Sequence, residues 1–148
     1  GAIPVLVTSM NRRVLDKNNK IINTLDDFPD AMREIAKQEN ISLIDLNALS
    51  KTLFEAMGPE TAKKAFVHYP ANSYPNQPTV LADDTHFNTY GAYELAKCVV
   101  KSIVDQNLPL KKYISKNYKN FNPNKPDNVE NFHWPESIFM ESLKPDGN

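Results

Sequence analysis

The chain has 148 residues, 41% apolar and 24% charged, which suits one globular domain with a sizeable core and excludes wholesale disorder. Seventeen Lys and Arg against eighteen Asp and Glu leave a net charge of -1, so no broad field exists to draw in nucleic acid or an anionic membrane. No apolar run approaches the roughly 20 residues of a membrane span, residues 1–148 contain no stretch with the pattern of a signal peptide, and the single cysteine, Cys98, excludes an intrachain disulfide and a cysteine-based zinc cluster.

In chain order, Ile3 to Thr8 is a short Val- and Ile-rich run, the pattern of a central parallel strand covered on both faces. It starts with no polar lead-in, from which we expect the domain to begin upstream of Gly1. Residues 11–25 are polar with two short apolar pairs, a loop with room for a small hairpin. From Asp27, apolar residues at 28, 31, 32, 35 and 36 with Pro29 in the first turn predict an amphipathic helix ending at Asn40. A second buried strand follows over Ile41 to Leu46, then a helix from about Ala48 to Met57, stopped by Gly58-Pro59.

Residues 66–82 contain Pro70, Pro75 and Pro78 and read as a long ordered loop, a common place for a site. After Asp83-Asp84-Thr85-His86, apolar pairs at 95/96, 99/100 and 103/104 predict a helix from about Thr89 to Gln106 with one buried stripe. Residues 1–118 are thus read as one domain and 119–148 as an extended tail packed on it through Phe121, Phe132, Trp134 and Phe139.

Asp83 and His86 are the residues that carry chemistry. A carboxylate three positions before an imidazole in a tight turn can fix its tautomer and stabilise the imidazolium, leaving the far ring nitrogen free as a general base. The plain alternative is an Asx turn made by Asp83 or Asp84, a helix cap at Asn88 or Thr89, and an ordinary histidine.

The block Leu-Ala-Asp-Asp-Thr-His-Phe-Asn-Thr-Tyr-Gly-Ala-Tyr-Glu-Leu-Ala resembles the last block of SGNH (GDSL-type) hydrolases, with its D-x-x-H. Its continuation, the preceding Tyr-Pro-Ala-Asn-Ser-Tyr-Pro-Asn-Gln-Pro and the stretch Val-Leu-Val-Thr-Ser-Met-Asn-Arg-Arg are most similar to rhamnogalacturonan acetylesterases, over about residues 1–115. The resemblance implies a three-layer α/β/α flavodoxin-like sandwich around a parallel sheet, a secreted or periplasmic setting, and deacetylation of an acetylated pectic polysaccharide or oligosaccharide through an acyl-enzyme. It also implies that Asp83 and His86 are the triad acid and base.

The sequence departs from that pattern in three places: the Gly-Asp-Ser block with the nucleophile, the Gly-x-Asn-Asp block with an oxyanion-hole Asn, and the block between them that supplies an oxyanion-hole Gly are all absent. The expectation is therefore a C-terminal half, completed by an N-terminal half from the same gene or another chain and inactive alone for lack of a nucleophile and donors. Ser9 lacks the glycine-flanked turn that exposes a nucleophile, and Cys98 sits mid-helix on the apolar stripe.

Arg12, or its neighbour Arg13, is a candidate partner for a galacturonate carboxylate, and His68, Tyr69 and Tyr74 for the lining of a sugar site; surface solvation and packing are the plain alternatives. His133 with Trp134 reads as anchoring. Three dispersed histidines have no zinc spacing, and neither metal nor organic cofactor is expected. A different function for the same chain is a non-catalytic module, derived from an esterase, that binds glycan or protein. A third reading is an unrelated flavodoxin-like domain with a chance D-x-x-H, and a hydrogen bond between Asp83 and His86 beside a cleft discriminates against it.

Overall fold

A computed structural model describes residues 1–134; the rest of the tail, Phe139 included, lies outside the described residues. Strand β1 (Val5–Val7) pairs in parallel with β2 (Ser42–Ile44), Leu6 opposite Leu43. Between them run an irregular segment and helix α1 (Phe28–Gln38), the crossover that parallel pairing requires. The irregular segment holds the expected small hairpin as an antiparallel bridge between Leu15 and Ile21, with Asn19 in the left-handed region at φ 59°.

The first strand differs from expectation. It is three residues long and not covered on both faces: Ile3 is 75% and Val7 41% exposed, and among the described residues the edge away from β2 has no strand partner. Pro4 explains the late start, since it offers no N–H to a ladder. The strand's far end is firmly tied: the Thr8 hydroxyl donates to Asp45 at 3.1 Å and accepts from the Asn47 amide at 2.8 Å, and Arg33 of α1 grips the same Asp45 carboxylate at 2.8 and 2.9 Å.

Helix α1 forms where its period predicts and stops at Asn40 (φ 52°), yet it buries only Pro29 and Ala36, with Phe28 and Ile35 standing in solvent. Helix α2 (Leu46–Met57) starts two residues before the expected Ala48, because the Asp45 carboxylate accepts from the Ala48 amide and caps it there. Gly58 (φ 75°) ends α2, and Pro59 opens the short helix α3 (Pro59–Lys63), which sequence periodicity did not reveal.

The Pro-rich segment is also more regular than a loop. Residues Phe66–Tyr69 form β3 and Leu81–Phe87 form β4, an antiparallel hairpin whose three prolines fall in the connection between the strands. Helix α4 (Thr89–Asp105) follows directly, capped by the Asn88 side chain on the Gly91 amide at 3.1 Å. Its buried face runs through Gly91, Glu94, Leu95, Cys98 and Ser102, rotated from the apolar pairs, so that Ala96 is exposed.

The main core lies between α2, α3, β3 and α4. Leu53, Phe54, Ala62, Ala65, Phe66 and Cys98 are all at most 1% exposed, and the Phe54 and Phe66 rings meet at 5.0 Å. Phe121 from the tail side closes this core, with the Lys97 ammonium 4.2 Å above its ring. A smaller cluster of Ile44, Ile103 and Leu108 sits under the parallel pair. Among the described residues no helix is long and apolar enough to cross a membrane.

Candidate active site

The hairpin register places the candidate acid and base. Val67 stands opposite Asp83 and Phe66 opposite Phe87, so consecutive residues of β3 span four steps of β4 and residues 84–86 bulge out unpaired. A bulge bends its strand and re-aims the side chains it carries. Within it the Asp83 carboxylate does two jobs. Oδ1 accepts from the amides of Thr85 (2.7 Å) and His86 (3.0 Å), and Oδ2 lies 2.6 Å from His86 Nδ1. The bulge thus folds onto its own first residue.

The His86 hydrogen bond, helped by the two amides, holds the Asp83 carboxyl down at about 2. Near neutral pH Asp83 is therefore anionic and is placed to accept a proton carried on Nδ1, which leaves Nε2 on the side of the ring facing away from the carboxylate. The imidazole is 77% exposed, and among the described residues nothing hydrogen bonds to Nε2. The pair stands on an open surface rather than inside a pocket. A groove of about 520 Å³ on the hairpin and the start of α4 is lined by Val67, Tyr69, Tyr74, Leu81, Phe87 and Trp134, and neither Asp83 nor His86 is part of its lining.

The other candidates fall in different places. Arg12 is exposed, while Arg13 is only 14% exposed and turned inward, its Nε 2.7 Å from Asp84 Oδ1. His68 is likewise turned in, 13% exposed with Nε2 2.7 Å from the same oxygen, so its ring is engaged with Asp84. Tyr74 is half exposed and meets Tyr69 edge-on at 5.1 Å. Its loop is built around Gln77, whose side chain accepts from the Ser73 and Tyr74 amides and donates to the carbonyls of Pro70 and Thr79.

Neither stand-in nucleophile fits the imidazole. Ser9 is exposed beyond the end of β1 with no hydrogen bond to His86 among the described residues. Cys98 is fully buried, and burial pushes its thiol up to about 12, far from a thiolate at neutral pH. Among the described residues no three His, Cys, Asp or Glu side chains are grouped as metal ligands. Asp84 is the residue that sequence reasoning undervalued; the available signal was a second acid in a turn where one carboxylate suffices.

Comparison with known proteins gives a consistent picture. The chain is similar to the rhamnogalacturonan acetylesterase RhgT of Bacillus subtilis, with 46% identity over 114 residues, 77% of this chain and 49% of that protein. It is also similar to the probable rhamnogalacturonan acetylesterase YesY of the same organism, with 35% identity over 116 residues, 78% of this chain and 49% of the relative. The chain therefore spans about half the length of the curated relatives it matches. Among solved structures it is similar in fold to the Bacillus subtilis protein YXIM, with a TM-score of 0.56 at 24% identity over 71% of this chain and 26% of that one. No protein-family model matches. The fold is α/β, with parallel strands and helices, consistent with part of a flavodoxin-like sandwich.

Proposed function

The chain belongs to the SGNH hydrolases, most similar among them to the rhamnogalacturonan acetylesterases, and we propose that Asp83 and His86 are the acid and base of a triad that removes acetyl groups from a pectic polysaccharide or oligosaccharide. The observation that carries this reading is the 2.6 Å contact between Asp83 Oδ2 and His86 Nδ1, with the opposite ring nitrogen unbonded among the described residues. His86 Nε2 takes the proton of a serine hydroxyl as that oxygen attacks the acetyl carbonyl. It then returns the proton to the departing sugar oxygen, while Asp83 stabilises the imidazolium and stays ionised. Water repeats the exchange on the acyl-enzyme and releases acetate.

The serine and the oxyanion donors come from an N-terminal half of the domain, encoded upstream or carried by another chain. The edge of β1, unpaired among the described residues, and the exposed Phe28 and Ile35 of α1 support a docking partner of that kind, since an open edge and an uncovered apolar helix face both gain by being covered. On this reading the chain alone turns over no ester. Arg12 pairs with a galacturonate carboxylate, and Tyr74 and the aromatic groove beside it stack on sugar rings. A polymeric pectic substrate is met outside the cytoplasm, so secretion or a periplasmic location goes with the reading.

The test is to join the chain to the nucleophile-bearing half and follow acetate release from acetylated pectin and from an aryl acetate. His86→Ala should lower kcat by at least about a thousandfold. Retained turnover in that variant would remove the role assigned to His86. The exposed aromatic groove favours one alternative, a non-catalytic glycan-binding module. It is separated by calorimetric titration with pectic oligosaccharide: a module loses binding with Tyr74→Ala and is indifferent to His86→Ala in both assays.

A further inference from the structure

Three consecutive unpaired residues are a costly way to build an acid-base pair, because each exposes backbone groups that the ladder would otherwise satisfy. Asp83 supplies partners for the amides of Thr85 and His86. The carbonyl of Asp84 is met from outside the hairpin, by the Arg13 amide at 2.8 Å. The Asp84 side chain makes the same connection again. Its Oδ1 receives Arg13 Nε and His68 Nε2, both at 2.7 Å, and the Arg13 guanidinium continues to the Pro59 carbonyl at 3.4 Å. One exposed bulge is thereby joined to the segment after β1, to β3 and to the start of α3.

We propose that Arg13, Asp84 and His68 are positioning residues, a clamp that fixes the bulge so that His86 meets Asp83 and presents Nε2 in one direction. Two arguments from geometry carry it. First, the pair is on the surface, 77% and 38% exposed, and an exposed turn held only by its own local bonds frays. The clamping side chains Arg13 and His68 are 14% and 13% exposed and are held by the fold. Second, Asp84 is a competing acid one residue from Asp83. A free carboxylate there could take the imidazole itself; with Arg13 and His68 on its Oδ1, it is engaged elsewhere. A misplacement of about 1 Å at such a pair can cost on the order of a hundredfold in rate, so a device of this sort has a purpose.

The clamp takes that purpose from the esterase reading, but its geometry is tested without turnover. In the isotopically labelled chain, NMR follows hydrogen exchange at the Thr85 and His86 amides and the downfield Nδ1 proton of His86, with the Leu95 and Cys98 amides as core reporters. Asp84→Asn and Arg13→Lys should each speed exchange at Thr85 and His86 by about tenfold and broaden the Nδ1 signal, with the core reporters unchanged. His68→Gln, which keeps a donor, should give a smaller acceleration. Unchanged exchange in all three variants overturns the proposal. Equal acceleration at Leu95 and Cys98 overturns it too, since the network would then hold the fold and not the pair. In the two-half enzyme, Asp84→Asn should lower kcat about tenfold and leave KM within twofold. If that enzyme proves inactive while the exchange result holds, the esterase reading fails and the clamp stands.

Discussion

Gly91 is the position where the packing of α4 is most exposed to a single methyl group. A Cβ built there would lie 2.1 Å from the Ala65 carbonyl oxygen and 3.0 Å from both the Ala65 carbonyl carbon and Phe87 Cβ, where real Cβ contacts below 3.0 Å essentially do not occur. The Ala65 oxygen cannot yield, because it accepts the Asn88 amide at 3.0 Å, while the Asn88 side chain donates to the carbonyls of Lys64 and Phe66 on either side. In Gly91→Ala the start of α4 must therefore back away by about 1 Å. Overpacking against backbone sets the cost at about 3 kcal/mol, with about 1 kcal/mol more for the weakened Asn88 bonds. The gain in helix propensity returns about 1 kcal/mol, for a net loss of about 3 kcal/mol. At a urea slope of about 1.5 kcal/mol/M the unfolding midpoint should fall by about 2 M. The control is Ala96→Gly on the exposed face of the same helix, which should cost only about 1 kcal/mol. If Gly91→Ala unfolds at the wild-type midpoint or above it, the close approach of α4 to residue 65 is not a constraint and the reasoning is wrong.

Two further outcomes concern pH. The Asp83 carboxyl is held at about 2 from an ordinary 3.8, so the pair's contribution is complete above about pH 4 and is lost as pH falls through 2. The Asp83 carboxyl carbon shift should titrate near 2 in the wild type and return toward 4 in His86→Ala; a midpoint near 4 in both refutes the pairing. Glu94 behaves in the opposite sense. It is fully buried, and burial raises its pKa against the pull of Lys97, so the folded state holds this proton more tightly than the unfolded state. Its contribution is greatest at pH below the ordinary glutamate value and declines as pH rises through the raised folded value. Glu94→Gln should flatten that part of the stability curve in chemical unfolding, and an unaltered slope would exclude Glu94 as its source.

Much of the helical structure was legible because periodicity and capping act locally. The 28–36 pattern, Asn40, Gly58 and the run into α4 each announce themselves within a few residues. The strands were harder. Three prolines between residues 70 and 78 suggested loop across 66–82, though they sit only in the connection, and strands of three or four residues leave almost no alternation to read. The buried stripe of α4 is rotated from its apolar pairs, because Gly91 abuts Ala65 and Glu94 is taken inside by Lys97 and the Asp127 amide. Asp83 and His86 were legible as a local spacing. The Asp84 contact with Arg13 spans 71 residues, and no pattern in one sequence announces a contact between a surface-type arginine and a turn-type aspartate at that distance.

The same contrast in span bears on how the chain assembles. The bonds from Asp83 to residues 85 and 86 close loops of two and three residues, an event of well under a microsecond that needs no folded domain around it. The Arg13 bond to Asp84 closes a loop of nearly half the sequence and is expected to form late, once the hairpin and the segment after β1 have come together. The imidazole should therefore meet its carboxylate repeatedly in the unfolded ensemble, and gain a fixed direction late, when the chain finishes folding.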